Sequence, residues 1–234
     1  MEIAIDTSTE MASIALSRRG EVEAEMTWPS GQNHTVELLP NLLHLLKQAK
    51  RDLEEIDAVI VAKGPGSFNG IRVGISTAKG LAFSRGIPLV GIGTLEVEAF
   101  PYAPTGRLIC PVLDAARNEI AAALYQLKQG EWRQLVEEHI TTVDGLCREI
   151  PPGTIICGRL PPHLSQEIEQ QLKERALILK ATLRRAGYLA ELGWQRLQRG
   201  QTDNPTTLQP LYLRHPSVTL KTKERKEDGF EKAT

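Results

Sequence analysis

Apolar and polar positions alternate with a period of two through the opening of the chain, which predicts three consecutive strands. Ile3-Ala4-Ile5 is short and apolar, Met11 to Ser17 alternates toward Ile14 and Leu16, and Glu21 to Trp28 alternates as an edge strand would. Asp6-Thr7-Ser8-Thr9-Glu10 is a polar turn between the first two, and Arg18-Arg19-Gly20 is a hairpin turn before the third. The period then becomes helical from about His34 to Lys50. Val36, Leu39, Leu43 and Leu46 mark one apolar stripe, and Leu38, Leu42, Leu45 and Ala49 a second. That is wider than a surface helix needs. Pro40 falls near the first turns, where it is best tolerated. A helix apolar on two sides is either central in a core or shared with a partner. In so small a lobe, sharing is the favoured reading.

A strand-like run, Asp57 to Ala62, leads through Lys63-Gly64-Pro65-Gly66-Ser67-Phe68-Asn69-Gly70 into a helix-like run from Ile71 to Ser84. Such a turn can set bare N–H groups at a helix N-terminus, where they attract anions. It is no P-loop, because no Gly-Lys-Ser/Thr closes it. It is not Gly-x-Gly-x-x-Gly either, because Gly70 comes one place too late. A tight corner with no ligand is the competing reading. The helix itself is rich in small residues, Gly74, Ser76, Thr77, Ala78, Gly80 and Ala82. Its two glycines lower helix propensity, and close helix–helix approach is the expected compensation. Pro88 to Ile92 reads as a strand and a helix starts at Thr94.

Strand patterns return at Leu108 to Leu113, Ile120 to Leu127 and Trp132 to Ile140, a repeat of the three-strand opening. Thr154 to Gly158 is a further strand, and Gln166 to Glu174 and Arg184 to Arg199 read as helices. The stretch Phe100 to Gly106, rich in proline, is the natural joint. The expected architecture is α/β, with two related actin-like (RNase H-like) lobes, each a mixed sheet covered by helices. They span residues 1–103 and 104–215, followed by a charged, disordered tail at 216–234. Duplicated lobes of this kind, flanking a nucleotide cleft, are the pattern of the actin-like ATPase superfamily.

Composition narrows the function. A formal net charge of -1 over 234 residues gives the whole molecule no strong pull on nucleic acid. Cys110, Cys147 and Cys157 are far apart and form no Cys-x-x-Cys pair, so neither a disulfide framework nor a zinc site is suggested. A reducing cytoplasm fits best. No apolar run reaches membrane-spanning length, and the N-terminal residues do not read as a secretory signal.

Ile5-Asp6-Thr7-Ser8-Thr9, His34-Thr-Val-Glu-Leu-Leu-Pro40, Gly64-Pro-Gly-Ser-Phe-Asn-Gly-Ile-Arg-Val-Gly74 and Gly80-Leu81-Ala82 together resemble the TsaB family. These are bacterial partner proteins in the synthesis of threonylcarbamoyladenosine in tRNA. Asp114-Ala115 with Glu119, and Pro210-Leu211-Tyr212-Leu213-Arg214, are similar to that family as well. Arg117 stands one place later than the arginine usual after the Asp-Ala pair. The resemblance implies a relative of TsaD, the subunit that transfers the threonylcarbamoyl group to the adenosine next to the anticodon. It implies a TsaD-like partner, a TsaE-like ATPase joining them, a homodimer when alone, and tRNA contact only through the complex. Such proteins are regarded as non-catalytic scaffolds that self-associate through the helices of the first lobe.

The residues bear on that scaffold reading directly. TsaD carries a His-x-x-x-His metal motif, whereas His34, His44, His139, His163 and His215 include no pair at that spacing. No metal site is expected. His34 is expected to cap or pack at its helix start and His44 to lie on that helix's surface. The phosphate turn Asp6, Thr7, Ser8, Thr9 has Ser8 where a glycine would let N–H groups reach a phosphate. Asp6 could hold a Mg²⁺ water, but the favoured reading is that Asp6 and Thr7 organise the turn. Cys157-Gly158-Arg159-Leu160-Pro161-Pro162 stands where relatives that use ATP present a glycine pair. The pocket reads as degenerate, with no cofactor and no catalytic residue. Ser67 lacks a Gly-x-Ser-x-Gly setting, and a glycoprotease reading finds neither metal nor nucleophile. The rival function is a stand-alone small actin-like ATPase or phosphotransferase. The expected partner surface is the pair of first-lobe helices, through Leu38, Leu42, Leu45, Ile71, Gly74, Ala78 and Ala82.

Overall fold

The structure, a computed structural model, describes residues 1–179 and 183–214. The expected tail lies outside the described residues, as does His215. The first lobe opens with β1 (Glu2–Asp6), β2 (Met11–Arg18) and β3 (Glu21–Pro29), then α1 (His34–Ala49), β4 (Ala58–Ala62), α2 (Phe68–Arg85), β5 (Leu89–Ile92) and α3 (Thr94–Ala99). A 3-10 turn, Phe100–Thr105, forms the joint. The second lobe follows with β6 (Ile109–Asp114), β7 (Glu119–Lys128), β8 (Glu131–Thr142), α4 (Val143–Glu149), β9 (Thr154–Arg159), α5 (Pro162–Leu172), β10 (Ala176–Ile178) and α6 (Ala186–Gln198).

The two sheets repeat one topology. The first runs β3-β2-β1-β4-β5 and the second, read from its far edge, β8-β7-β6-β9-β10. In each, the opening strand pairs antiparallel with the second and parallel with the fourth. The duplication and the mixed sheets are those expected from the repeated strand pattern.

Layering follows from which strand faces are apolar. Ile3, Ile5, Val59 and Val61 face one way and are buried under α1 and α2. Ala4, Ile60, Ala62 and Val90 face the other way and are buried under α6 and Val97 of α3. The inner face of the second sheet packs on Leu95 and Ala99 of α3. Its outer face packs on α4 and α5. Helices α3 and α6 therefore form a shared layer between the two sheets.

Packing does not follow sequence order. Helix α6 covers the first-lobe sheet, although it follows the second lobe in sequence. The segment after it stays on the first lobe too. Asp203 bonds Gly91 N at 2.8 Å, Leu208 enters the first core, and Leu211 N donates to Lys63 O at 2.7 Å. Tyr212 stacks on Phe68, and Arg214 reaches Glu119 at the start of β7. Local expectations shift as well. Helix α5 starts at Pro162, a turn before the expected Gln166, because proline suits the first helical position. The short α4 and β10 were not expected. Among the described residues, no helix is long and apolar enough to cross a membrane.

Helix α6 approaches the sheet closely. A Cβ at Gly193 would come within 2.5 Å of Ile60 side-chain atoms, whereas one at Gly80 would meet nothing within 4 Å. Gly193→Ala is therefore expected to destabilise the protein by about 1–3 kcal/mol through overpacking. Gly80→Ala is expected to be neutral or stabilising by up to ~1 kcal/mol. Thermal melts of the two variants check both, and equal midpoints would refute this packing.

Candidate functional site at the interlobe cleft

The polar turn after β1 organises itself. Asp6 Oδ1 accepts from Ser8 N at 2.9 Å and from Ser8 Oγ at 2.6 Å. Thr7 Oγ1 donates to Gly70 O at 2.7 Å. The glycine-rich corner closes on this turn. Ser67 N donates to Ser8 O at 2.7 Å, and Ser67 Oγ caps α2 by accepting from Gly70 N. A Cβ at Gly70 would overlap Thr7 O, and one at Gly74 would overlap Thr7 Oγ1. The small residues at the start of α2 thus admit the Asp6 turn rather than a foreign helix. Of the two readings of this corner, the geometry favours the tight one. His34 is buried, and its Nε2 lies 2.9 Å from Thr9 O, which ties the start of α1 to the same turn. His44 is exposed, as expected.

The cleft between the lobes has a volume of about 630 Å³ and is lined by both halves of the chain. From the first lobe come Ser8, Thr9, Gly66, Ser67 and Glu98, and from the second Asp114, Arg159, Leu160, Pro161 and Pro162. Gly158, one residue from this lining, is needed for packing. Its φ is +119°, and a Cβ there would overlap Val112 O on the neighbouring strand. Asp114 Oδ1 accepts from Ala116 N at 2.9 Å, and Ala116, Arg117 and Asn118 all adopt positive φ in the turn that follows.

The floor of the cleft holds a residue that the sequence pattern did not single out. Arg184, two residues before α6, inserts its guanidinium against the Asp6 turn. Nε donates to Asp6 Oδ2 at 2.6 Å, and Nη2 donates to Asp6 Oδ1 at 3.3 Å, Ser8 Oγ at 2.8 Å and Thr9 Oγ1 at 3.2 Å. Nη1 lies 3.4 Å from Glu98 Oε2. The side chains of Arg184, Asp6 and Glu98 are 7%, 1% and 7% exposed. Burial alone would push the Asp6 carboxyl up, but Arg184 and the Ser8 hydrogen bonds together hold it below its ordinary value. Glu98 has only the longer contact to Arg184, so burial wins there and its carboxyl is raised. Arg184 is itself raised: burial opposes its charge, and Asp6 and Glu98 more than offset that.

The residues expected at the partner surface do not line the cleft. Leu38, Leu42, Leu45, Ile71, Gly74, Ala78 and Ala82 are all buried within the first lobe. Of the two stripes of α1, the one with Leu38, Leu42 and Leu45 faces the sheet. The stripe that faces solvent is Val36, Leu39 and Leu43, at 69%, 50% and 58% exposure, with Phe83 exposed on the neighbouring α2. Among the described residues, no group of three or more His, Cys, Asp and Glu side chains could hold a metal ion.

Two mirrored lobes around a cleft, with a polar turn at its floor, define a member of the actin-like ATPase superfamily. A family model described as TsaD, tRNA N6-adenosine threonylcarbamoyltransferase, matches residues 28–215. The chain is similar to the tRNA threonylcarbamoyladenosine biosynthesis protein TsaB of Bacillus subtilis, at 37% identity over 62% of this chain and 63% of that protein. It is also similar to the TsaB protein of Haemophilus influenzae, at 29% identity over 94% and 95%. Among solved structures, YeaZ from Pseudomonas aeruginosa superposes with a TM-score of 0.76 at 26% identity, covering 90% of this chain and 99% of that one. The chain belongs to the TsaD family.

The carboxylates make acid stability a test of this geometry. Asp6 is lowered in the fold, so its contribution is present above its ordinary value of 3.8 and is lost as pH falls through the lowered one. Glu98 has the opposite sign: its raised carboxyl opposes folding above its ordinary value of 4.5, a penalty relieved as pH falls. Asp6→Asn leaves Arg184 without its main partner and is expected to cost about 3–5 kcal/mol at pH 7. Urea unfolding as a function of pH is expected to show a weaker acid loss in Asp6→Asn than in the unaltered protein. Parallel pH curves would show that Asp6 is not ion-paired.

Proposed function

We propose that this chain is a non-catalytic partner subunit in the synthesis of threonylcarbamoyladenosine in tRNA. It docks on a TsaD-like catalytic subunit, with a TsaE-like ATPase joining the pair, and forms a homodimer when alone. It meets tRNA only through the complex, needs no cofactor of its own and works in the cytoplasm. The observation that carries this reading is the cleft floor, where an internal ion cluster stands in the position of the phosphate turn. The names of its relatives supply the pathway. The exposed stripe Val36, Leu39 and Leu43 supplies the docking face, because apolar patches of this kind mark protein contacts.

Leu39→Glu with Leu43→Glu is expected to abolish both the homodimer and co-purification with the TsaD-like protein of the same cell, while circular dichroism stays unchanged. The buried change Ala78→Glu is expected to unfold the lobe instead. A folded double variant that still binds its partner would place the docking face elsewhere. Calorimetry with ATP separates this reading from the stand-alone ATPase: no binding is expected in the low-micromolar range, and Asp6-dependent binding there would favour the rival.

A further inference from the structure

The cluster on the cleft floor resembles the donor shell of a hard cation more than an ordinary salt bridge. Asp6 Oδ1 and Oδ2, Ser8 Oγ, Thr9 Oγ1 and Glu98 Oε2 converge on one positive group within 3.4 Å. Oxygen donors from carboxylates and neutral groups, completed by water, are what Mg²⁺, Mn²⁺ and Ca²⁺ take. Here the positive group belongs to the chain. A guanidinium presents its donors in a rigid planar fork and keeps its charge when buried. Each of its three nitrogens meets an oxygen of this shell.

We propose that Arg184 is a built-in cation that fills a latent divalent-ion site on the cleft floor, so that the chain admits no metal there. The donors come from two places, the turn after β1 and helix α3, and the arginine from a third, just ahead of α6. Asp6, Ser8 and Glu98 are buried and Thr9 is half-buried, so the two carboxylates lose their counter-charge if the guanidinium leaves. Removing it therefore uncovers an acidic, oxygen-lined hole of the kind a divalent ion occupies. This inference does not depend on the partner role: a subunit that binds no TsaD-like protein would carry the same plug.

The test uses the full chain, with Mn²⁺ as the probe followed by electron paramagnetic resonance. The unaltered protein is expected to bind no Mn²⁺ in an Asp6-dependent way. Arg184→Ala is expected to take up one Mn²⁺ at least about tenfold more tightly, to gain thermal stability with Mn²⁺, and to lose both properties when Asp6→Asn is added. Arg184→Lys keeps a positive charge and is expected to gain no Mn²⁺ site. Should Arg184→Ala need an ion to fold, refolding with Mn²⁺ is expected to restore native circular dichroism. Three results would overturn the proposal: Asp6-dependent Mn²⁺ binding by the unaltered protein, a folded Arg184→Ala variant with no gain in Mn²⁺ binding, or failure of that variant to fold with any of Mn²⁺, Mg²⁺ and Ca²⁺.

Discussion

The central strands of the first sheet are apolar on both faces, and most of the architecture follows from covering them twice. Ile3, Ile5, Val59 and Val61 need helices on one side, and Ala4, Ile60 and Ala62 need them on the other. The first lobe supplies α1 and α2 for the outer side, but only the short α3 for the inner one. The missing cover comes from α6, which the chain delivers after the second lobe is complete. At roughly 25 cal/mol per Å² of buried apolar surface, leaving that face open would cost far more than a long connection does. The return of α6 also brings Arg184 to the cleft floor, so the packing constraint and the electrostatic one share a single stretch of chain.

That ion cluster shows how two carboxylates facing one cation come to differ. Asp6 offers both oxygens to Arg184 and accepts two further bonds from Ser8, enough to reverse the effect of its burial. Glu98 meets Arg184 at a single, longer distance, and burial prevails. Charge-assisted bonds of this kind are among the strong ones, yet a buried pair is weak evidence of net stability because both charges lose water. Its clearest effect here is on geometry. One side chain joins the β1 turn, α3 and the entrance to α6.

Much of this was legible in the chain. Period-two alternation located the opening strands of both lobes, and their repetition disclosed the duplication before any contact was known. Helix α4 and strand β10 escaped because seven-residue and three-residue elements carry too little periodicity, and α5 opens at Pro162, ahead of the apolar pattern that marks it. Both stripes of α1 were visible as stripes. Which one points inward depends on the sheet beneath, and the small residues of α2 fit the Asp6 turn rather than a second helix. Arg184 was out of reach for a different reason. Its partner Asp6 is 178 positions away, and an arginine beside another arginine ahead of an apolar helix looks like an ordinary solvated charge. Glu98, lodged between Val97 and Ala99 in α3, was a local hint of a buried charge.

The late arrival of α6 also bears on how the protein is made. Domains usually fold as units in the order in which they leave the ribosome, N-terminal first. Here the first five strands emerge early with one face unprotected, and that face stays open while the whole second lobe is synthesised. Val90 and Ile92 on β5, with Ile60 on β4, must wait for Leu189 and Leu192 on a helix about a hundred residues downstream. The apolar face is fully covered only once α6 has left the ribosome.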